Sequence, residues 1–284
     1  YTAPHSPWID CHPKKYTDLY EDCPFETCPQ GETHPWAKTE VLAGYQRPRE
    51  SLIGYFAAVT AMDDNVGRIL KKLEEENLME DTLIIFSSDN GFNCGHHGIW
   101  GKGNGTFPLN MYDSSVKVPL IMCHKGHIPE NQVCDEMHSG YDFMPTLLEY
   151  LGFENDEADE LPGKSFLPAL MGQEHKNEDG RVVVFDEYGP VRMIRSRKYK
   201  LVHRYPYGPD EFYDLEADPG ETHNGIEDEQ YQDMIQDMKK QMELWFLQYV
   251  DPRIDGAKEP VMGGGQRDLA GLLGPGINVY GENI

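Results

Sequence analysis

Asp89-Asn90-Gly91 closes the apolar run Thr82-Leu83-Ile84-Ile85-Phe86-Ser87-Ser88, setting a carboxylate beside an amide oxygen. Two oxygen donors of this kind suit a hard divalent cation such as Ca2+ or Mg2+. Asp-Asn-Gly is equally the chemistry of an Asx turn that ends a strand. Shortly after it, Gly95-His96-His97-Gly98-Ile99-Trp100-Gly101-Lys102-Gly103-Asn104-Gly105-Thr106 holds two imidazoles and one ammonium among glycines. Such groups stabilise anions or move protons, and glycine lets a backbone approach a ligand closely. The plainer alternative is a flexible loop with incidental His and Lys. A phosphate-cradling P-loop is excluded, because the glycine spacing is wrong and no Ser or Thr follows Lys102. Cys11, Cys23 and Cys28 lie near His12 and His34 without paired Cys-x-x-Cys knuckles, which leaves a zinc site, one disulfide or ordinary loop cysteines.

These groups need elements to position them. Residues 1–46 are rich in Pro, Cys, His and aromatic residues and carry no period, so they read as a long irregular segment. From Ser51 to about Asn77, Leu52, Tyr55, Phe56, Val59, Met62, Val66, Ile69, Leu70 and Leu73 recur at helical spacing and predict an amphipathic helix. The continuous apolarity of 82–88 predicts a strand covered on both faces, as in a parallel sheet. A second strand is expected at Val118–Met122, and a short helix over Asp142–Gly152 with Pro145 near its first turn. This order of helices and strands indicates an α/β layer. Beyond about residue 175, Arg181–Glu187, Val191–Ser196, Tyr199–Tyr205 and Glu211–Leu215 read as short strands of an antiparallel sheet, the middle two joined as a hairpin at Arg197-Lys198. A last helix is expected over 228–249, with Tyr231, Met234, Ile235, Met238, Met242 and Trp245 on its core face. The tail from Asp251 has no period and reads as a surface strap or a mobile end.

Composition narrows the partners. The chain has 284 residues, 39% of them hydrophobic, enough for a core in one large domain or two modest ones. With 25 Lys+Arg against 49 Asp+Glu, the formal charge of −24 argues against nucleic acid and anionic membrane surfaces. No apolar run approaches the ~20 residues of a membrane span. Six cysteines are far below disulfide-scaffold density. The opening Tyr1-Thr2-Ala3-Pro4-His5-Ser6-Pro7, without an initiator Met, reads as the interior of a larger protein or a processed start.

A series of segments resembles a known family: Ala3-Pro4-His5-Ser6-Pro7; Ala58-Val59-Thr60-Ala61-Met62-Asp63-Asp64-Asn65-Val66-Gly67; Ser88-Asp89-Asn90-Gly91; Gly95-His96-His97-Gly98-Ile99-Trp100-Gly101-Lys102-Gly103; Val118-Pro119-Leu120-Ile121; Asp142-Phe143-Met144-Pro145-Thr146-Leu147-Leu148; and Phe212-Tyr213-Asp214-Leu215 through Glu221 and Asn224. In order and approximate spacing it is similar to the C-terminal portion of the formylglycine-dependent sulfatases of the alkaline-phosphatase superfamily. The resemblance implies an α/β sandwich with a large mixed sheet, its N-terminal strands lying outside this chain, and a smaller C-terminal antiparallel sheet packed with a helix. It divides the chain into 1–175, the C-terminal part of the catalytic domain; 176–250, a smaller α+β subdomain; and 251–284, a Gly/Pro-rich tail.

The resemblance also implies a divalent ion, normally Ca2+ with Mg2+ or Mn2+ as alternatives, bound by Asp89 and Asn90 with two upstream aspartates. Lys102 and His5 match residues that contact the sulfate and leaving group, and His97 matches a substrate-contacting histidine of some branches. Sulfate-ester cleavage places negative charge on the bridging oxygen, so fixed cations and a metal are the expected devices. The chain departs from the family at the nucleophile. Cys11-His12-Pro13-Lys14-Lys15 has Lys where the Cys/Ser-x-Pro-x-Arg motif requires Arg, and it follows His5 instead of preceding it; formylglycine is therefore expected upstream. The expected activity is hydrolysis of a sulfate ester on a carbohydrate or small organic molecule. A phosphoester or phosphonate-ester hydrolase and a noncatalytic structural half or binding module are the alternatives. Specificity is expected to depend on 10–46, 104–115, 205–211 and the tail.

Overall fold

The computed structural model describes residues 12–39, 43–156, 158–173, 180–186, 189–257 and 259, and the chain forms two compact units, 1–128 and 129–284. His5, Cys11 and most of the C-terminal tail lie outside the described residues.

In the first unit the expected helix runs Pro48–Glu75, with Pro48 in its first turn, where the missing N–H costs nothing. Leu52, Ile53, Ala57, Ala58 and Ala61 are buried along one face of its first half. Leu52 and Ile53 pack with Phe25, Cys94 and Trp100, and Tyr55 and Phe56 close the edge of that cluster. Burial does not follow the apolar stripe to its end: beyond Ala61 no helix residue is buried, and Ile69 is 62% exposed. At the midpoint Asp64 accepts from the Tyr16 hydroxyl at 2.7 Å and from Lys15 at 3.3 Å. The tyrosine hydroxyl and the lysine ammonium hold its carboxyl below the usual carboxylate value.

Strand β1, Ile84–Ser87, pairs antiparallel with β2, Leu120–Cys123, in the register Ile84↔Cys123 and Ser87↔Leu120. The parallel pairing expected from the apolar run is thus corrected: the neighbour of β1 among the described residues runs antiparallel to it. Continuous apolarity reports that both faces suit burial and carries no information on neighbour direction. Here Ile121 is 61% and Leu120 41% exposed.

The second unit opens on a turn, Gly140–Asp142, closed by a capping box in which the Ser139 N–H donates to Asp142 at 2.7 Å. The helix Phe143–Tyr150 follows. Strands β3 Val182–Phe185, β4 Val191–Arg195, β5 Tyr199–Arg204 and β6 Glu211–Asp214 form an antiparallel meander in sequence order. The helix Gln232–Tyr249 lays Ile235, Met238, Met242 and Phe246 on Val183, Ile194, Leu201 and Phe212. The hairpin at 197–198 falls where the sequence puts it, as do Ile235, Met238 and Met242 of the helix face, whereas Met234 is exposed and Phe246 takes a core position one turn after Met242.

Several strand charges are buried in pairs. Lys200 Nζ donates to Glu221 Oε1 at 2.5 Å and Arg204 to Glu211 at 2.7 Å. The guanidinium of Arg192 lies 3.6 Å over the Phe246 ring and donates to Asp255 at 2.5 Å. That bond makes the described start of the tail a strap. Asn224 Oδ1 accepts from the backbone N–H groups of Phe212 and Ile226, so the Phe-Tyr-Asp-Leu…Asn series is a brace for β6.

Candidate functional site

Asp89 and Asn90 follow β1 directly, Asp89 exposed and Asn90 half-buried. Lys102 comes to them through space: its ammonium donates to Asn90 Oδ1 at 2.5 Å, while Asn90 Nδ2 donates to the Gly91 carbonyl at 2.9 Å. Both hydrogen bonds agree on the amide's orientation, which leaves its oxygen on the lysine side.

Lys102 is placed by its neighbours. Two residues before it, the buried Trp100 donates its N–H to the Tyr45 hydroxyl at 2.9 Å. The indole packs against Gly44, where an added Cβ would meet it at 2.0 Å. At Gly91 a Cβ would meet the Ser114 carbonyl oxygen at 2.1 Å, so the chain leaves β1 through a gap that only glycine fits. Burial pushes the phenols of Tyr45 and Tyr55 upward, Tyr55 to about 12, so both stay un-ionised at neutral pH.

The loop has no ladder of its own and is closed by side chains instead. Asn93, fully buried, donates from Nδ2 to the Gly101 carbonyl and to Ser115 Oγ, both at 2.9 Å, and accepts from Ser114 Oγ at 2.5 Å. Asn110 donates to the carbonyls of Lys102 and Gly103 and accepts from Ser115 Oγ at 2.6 Å. Buried polar groups of this kind are stable only when paired, and together they fix the backbone on either side of Lys102. Sequence reading passed over Asn93, Asn110, Ser114 and Ser115. The one signal available was Asn93 within a stretch otherwise apolar enough to be buried.

His97 takes a left-handed backbone conformation, φ 56°, and its ring stacks on Tyr112 at 3.7 Å and 8°. Tyr112 in turn lies edge-on to His34. His96 Nε2 donates to the Thr27 carbonyl, 2.9 Å away, as a loop brace. The structure thus joins Lys102 to Asn90, sets Asp89 next to them in the chain, and seats His97 on an aromatic wall of the same loop. Of the expected specificity segments, 104–115 is largely packing, with Leu109, Asn110, Met111 and Tyr112 buried, whereas Tyr207 in 205–211 is 95% exposed.

Cys23 and Cys28 pack against the aromatic cluster that buries Cys94, and burial pushes the thiols of Cys28 and Cys94 up. His12 is buried as well, its imidazole pushed down by desolvation.

Residues 2–153 match the family profile described as Sulfatase, and residues 95–246 match N-sulphoglucosamine sulphohydrolase, C-terminal. The choline-sulfatase of Rhizobium meliloti is 32% identical over 240 residues, 79% of this chain and 44% of its own length. Among solved structures, a protein in complex with its substrate D-glucosamine-2-N,6-O-disulfate is 28% identical with a TM-score of 0.63, over 72% of this chain and 42% of that one. The phosphonate monoester hydrolase of Agrobacterium radiobacter is 26% identical with a TM-score of 0.62, over the same shares of 72% and 42%. The chain spans less than half the length of each of these relatives.

Proposed function

The chain belongs to the sulfatase family, and from that premise we propose that the full-length protein hydrolyses a sulfate ester, with these residues holding the charge of the reacting group. The observation that carries the reading is Lys102 Nζ held 2.5 Å from Asn90 Oδ1 at the end of β1. An ammonium fixed there by a closed loop is preorganised, so it stabilises the charge that develops on the bridging oxygen without reorganising. His97, seated on Tyr112, and His5 are assigned to the sulfate or leaving group.

Asp89 and Asn90 are assigned to a divalent cation, Ca2+ first and Mg2+ or Mn2+ next. Their donor set fits: an exposed carboxylate and an amide oxygen are hard ligands, and the amide is already oriented by its bond to Gly91. The chemistry such a cation supplies when bound is Lewis-acid polarisation of the sulfuryl group. For the formylglycine nucleophile the residues present do not fit. Cys11-His12-Pro13-Lys14-Lys15 lacks the arginine, and His12 is buried in a core position. No residue of this chain is assigned that role.

A sulfated sugar or a small organic sulfate is the proposed substrate class. The solved relative bound to a glucosamine disulfate and the relative named choline-sulfatase support it. The phosphonate monoester hydrolase relative supports phosphonate-ester hydrolysis as a second reading. Steady-state kinetics of the full-length protein on an aryl sulfate and on the matching aryl phosphonate separate the two. The sulfate is expected to have the higher kcat/KM, and the reverse order would replace the first reading with the second.

Asp89→Ala is expected to weaken Ca2+ binding by more than about tenfold, since the loss of even an outer partner of a metal ligand has that effect. Calorimetric titration of the full-length protein with Ca2+ measures it. Wild-type affinity in the variant would return Asp89 to closing a turn.

A further inference from the structure

Cys134, Glu136 and His138 stand in the second unit, apart in sequence from every residue assigned above. The chain bends at Glu136, and one ligand atom from each of the three side chains falls within 4.8 Å of the other two. Cys134 Sγ is 3.8 Å from His138 Nε2. Metal bonds of about 2.3 Å to sulfur and about 2.0 Å to nitrogen at a tetrahedral angle span roughly 3.5 Å, so this pair is within a few tenths of an ångström of the spacing for a shared ion. A further sign comes from Glu136, whose Oε2 is buried with no hydrogen-bond partner among the described residues. An unpaired buried carboxylate oxygen is costly, and a cation is what relieves it.

The intervening residues hold the segment in this shape. Arg197 donates to the Asp135 carbonyl at 2.8 Å and Arg195 to Met137 Sδ at 2.6 Å, tying the strip to the β4–β5 hairpin. The capping box at Ser139 and Asp142 fixes the chain immediately afterwards, and the His138 ring rests on Phe166 at 4.6 Å. The ligands are therefore set before any ion arrives.

We propose that Cys134, Glu136 and His138 form a Zn2+ site, with a fourth position open to water. One sulfur, one imidazole nitrogen and one carboxylate oxygen form the mixed set that suits zinc, whereas Ca2+ and Mg2+ take oxygen alone. The site is chemically distinct from Asp89 and Asn90 and does not depend on the assignment of activity.

The test is Zn2+ titration of the chelator-stripped full-length protein, with excess Ca2+ present, followed by Co2+ substitution. The expected result is one tightly held Zn2+ per chain and a thiolate-to-cobalt charge-transfer band in the near ultraviolet. Cys134→Ser and His138→Gln should each weaken Zn2+ binding by more than about tenfold, and Cys134→Ser should abolish the band. The stacked surface pair His124 and His127, 4.1 Å apart, serves as the control, and H124Q/H127Q and Asp89→Ala should retain site and band. Thermal melts of the stripped variants confirm folding. Zinc uptake unchanged in C134S/H138Q, uptake lost in H124Q/H127Q, or no uptake by the wild type would overturn the proposal.

Discussion

Replacing Lys102 with alanine is expected to lower kcat/KM of the full-length protein for an aryl sulfate by about two or more orders of magnitude, the loss that follows removal of one preorganised charge-stabilising donor. The size follows from how the ammonium is held. Its backbone is fixed on one side by Trp100 against Tyr45 and on the other by Asn110, and its head rests on Asn90 at 2.5 Å. The supports from Trp100 and Asn110 act on the backbone and do not involve the lysine side chain, so the fold should survive the substitution and the melting midpoint should stay near that of the wild type. Lys102→Arg keeps the charge but presents a planar fork where a compact ammonium stood, and should recover only part of the rate. Paired measurements of kcat/KM and melting decide the matter. An unchanged kcat/KM in the alanine variant would remove Lys102 from the site.

The largest effect on stability is expected at Lys200. This side chain is fully buried, and its ammonium donates to Glu221, itself 4% exposed, at 2.5 Å. Lys200→Met leaves a buried carboxylate without its cation, which costs about 3–5 kcal/mol. Adding Glu221→Gln removes the stranded charge, so K200M/E221Q should regain much of the loss. Urea unfolding of the single and double variants gives the two values. A loss below about 1 kcal/mol in the single variant would mean that water reaches Glu221 and the pair is a surface bridge in energetic terms.

The limits of the sequence reading follow from the same physics. The helix from Pro48, the β4–β5 hairpin and the methionine face of the last helix were legible because burial imposes a period of 3.6 or 2 on apolar residues. The extent of burial along the first helix was not, because periodicity reveals a face and not what covers it. Nothing in residue type marks Lys200 and Arg192 as interior, yet both are buried, since a partner from a distant loop or the tail neutralises each of them. In the site, Asp89, Asn90 and Lys102 stood out by residue type. The small polar residues that fix Lys102 did not, because a buried amide follows no period and has the same letter as an exposed one.

The helix Pro48–Glu75 joins two different local stabilities in one rod. Its first half is welded to an aromatic core and clasped at Asp64, whereas its second half is braced by surface ion pairs such as Lys72 with Glu76. Such pairs contribute only a few tenths of a kcal/mol each. Amides of the buried turns from Leu52 to Ala61 should exchange with solvent only when the core around Trp100 opens, while those after Asp64 should fray turn by turn from the C-terminal end. Fraying from that end is expected to stop at Asp64, short of the turns that support the Lys102 loop.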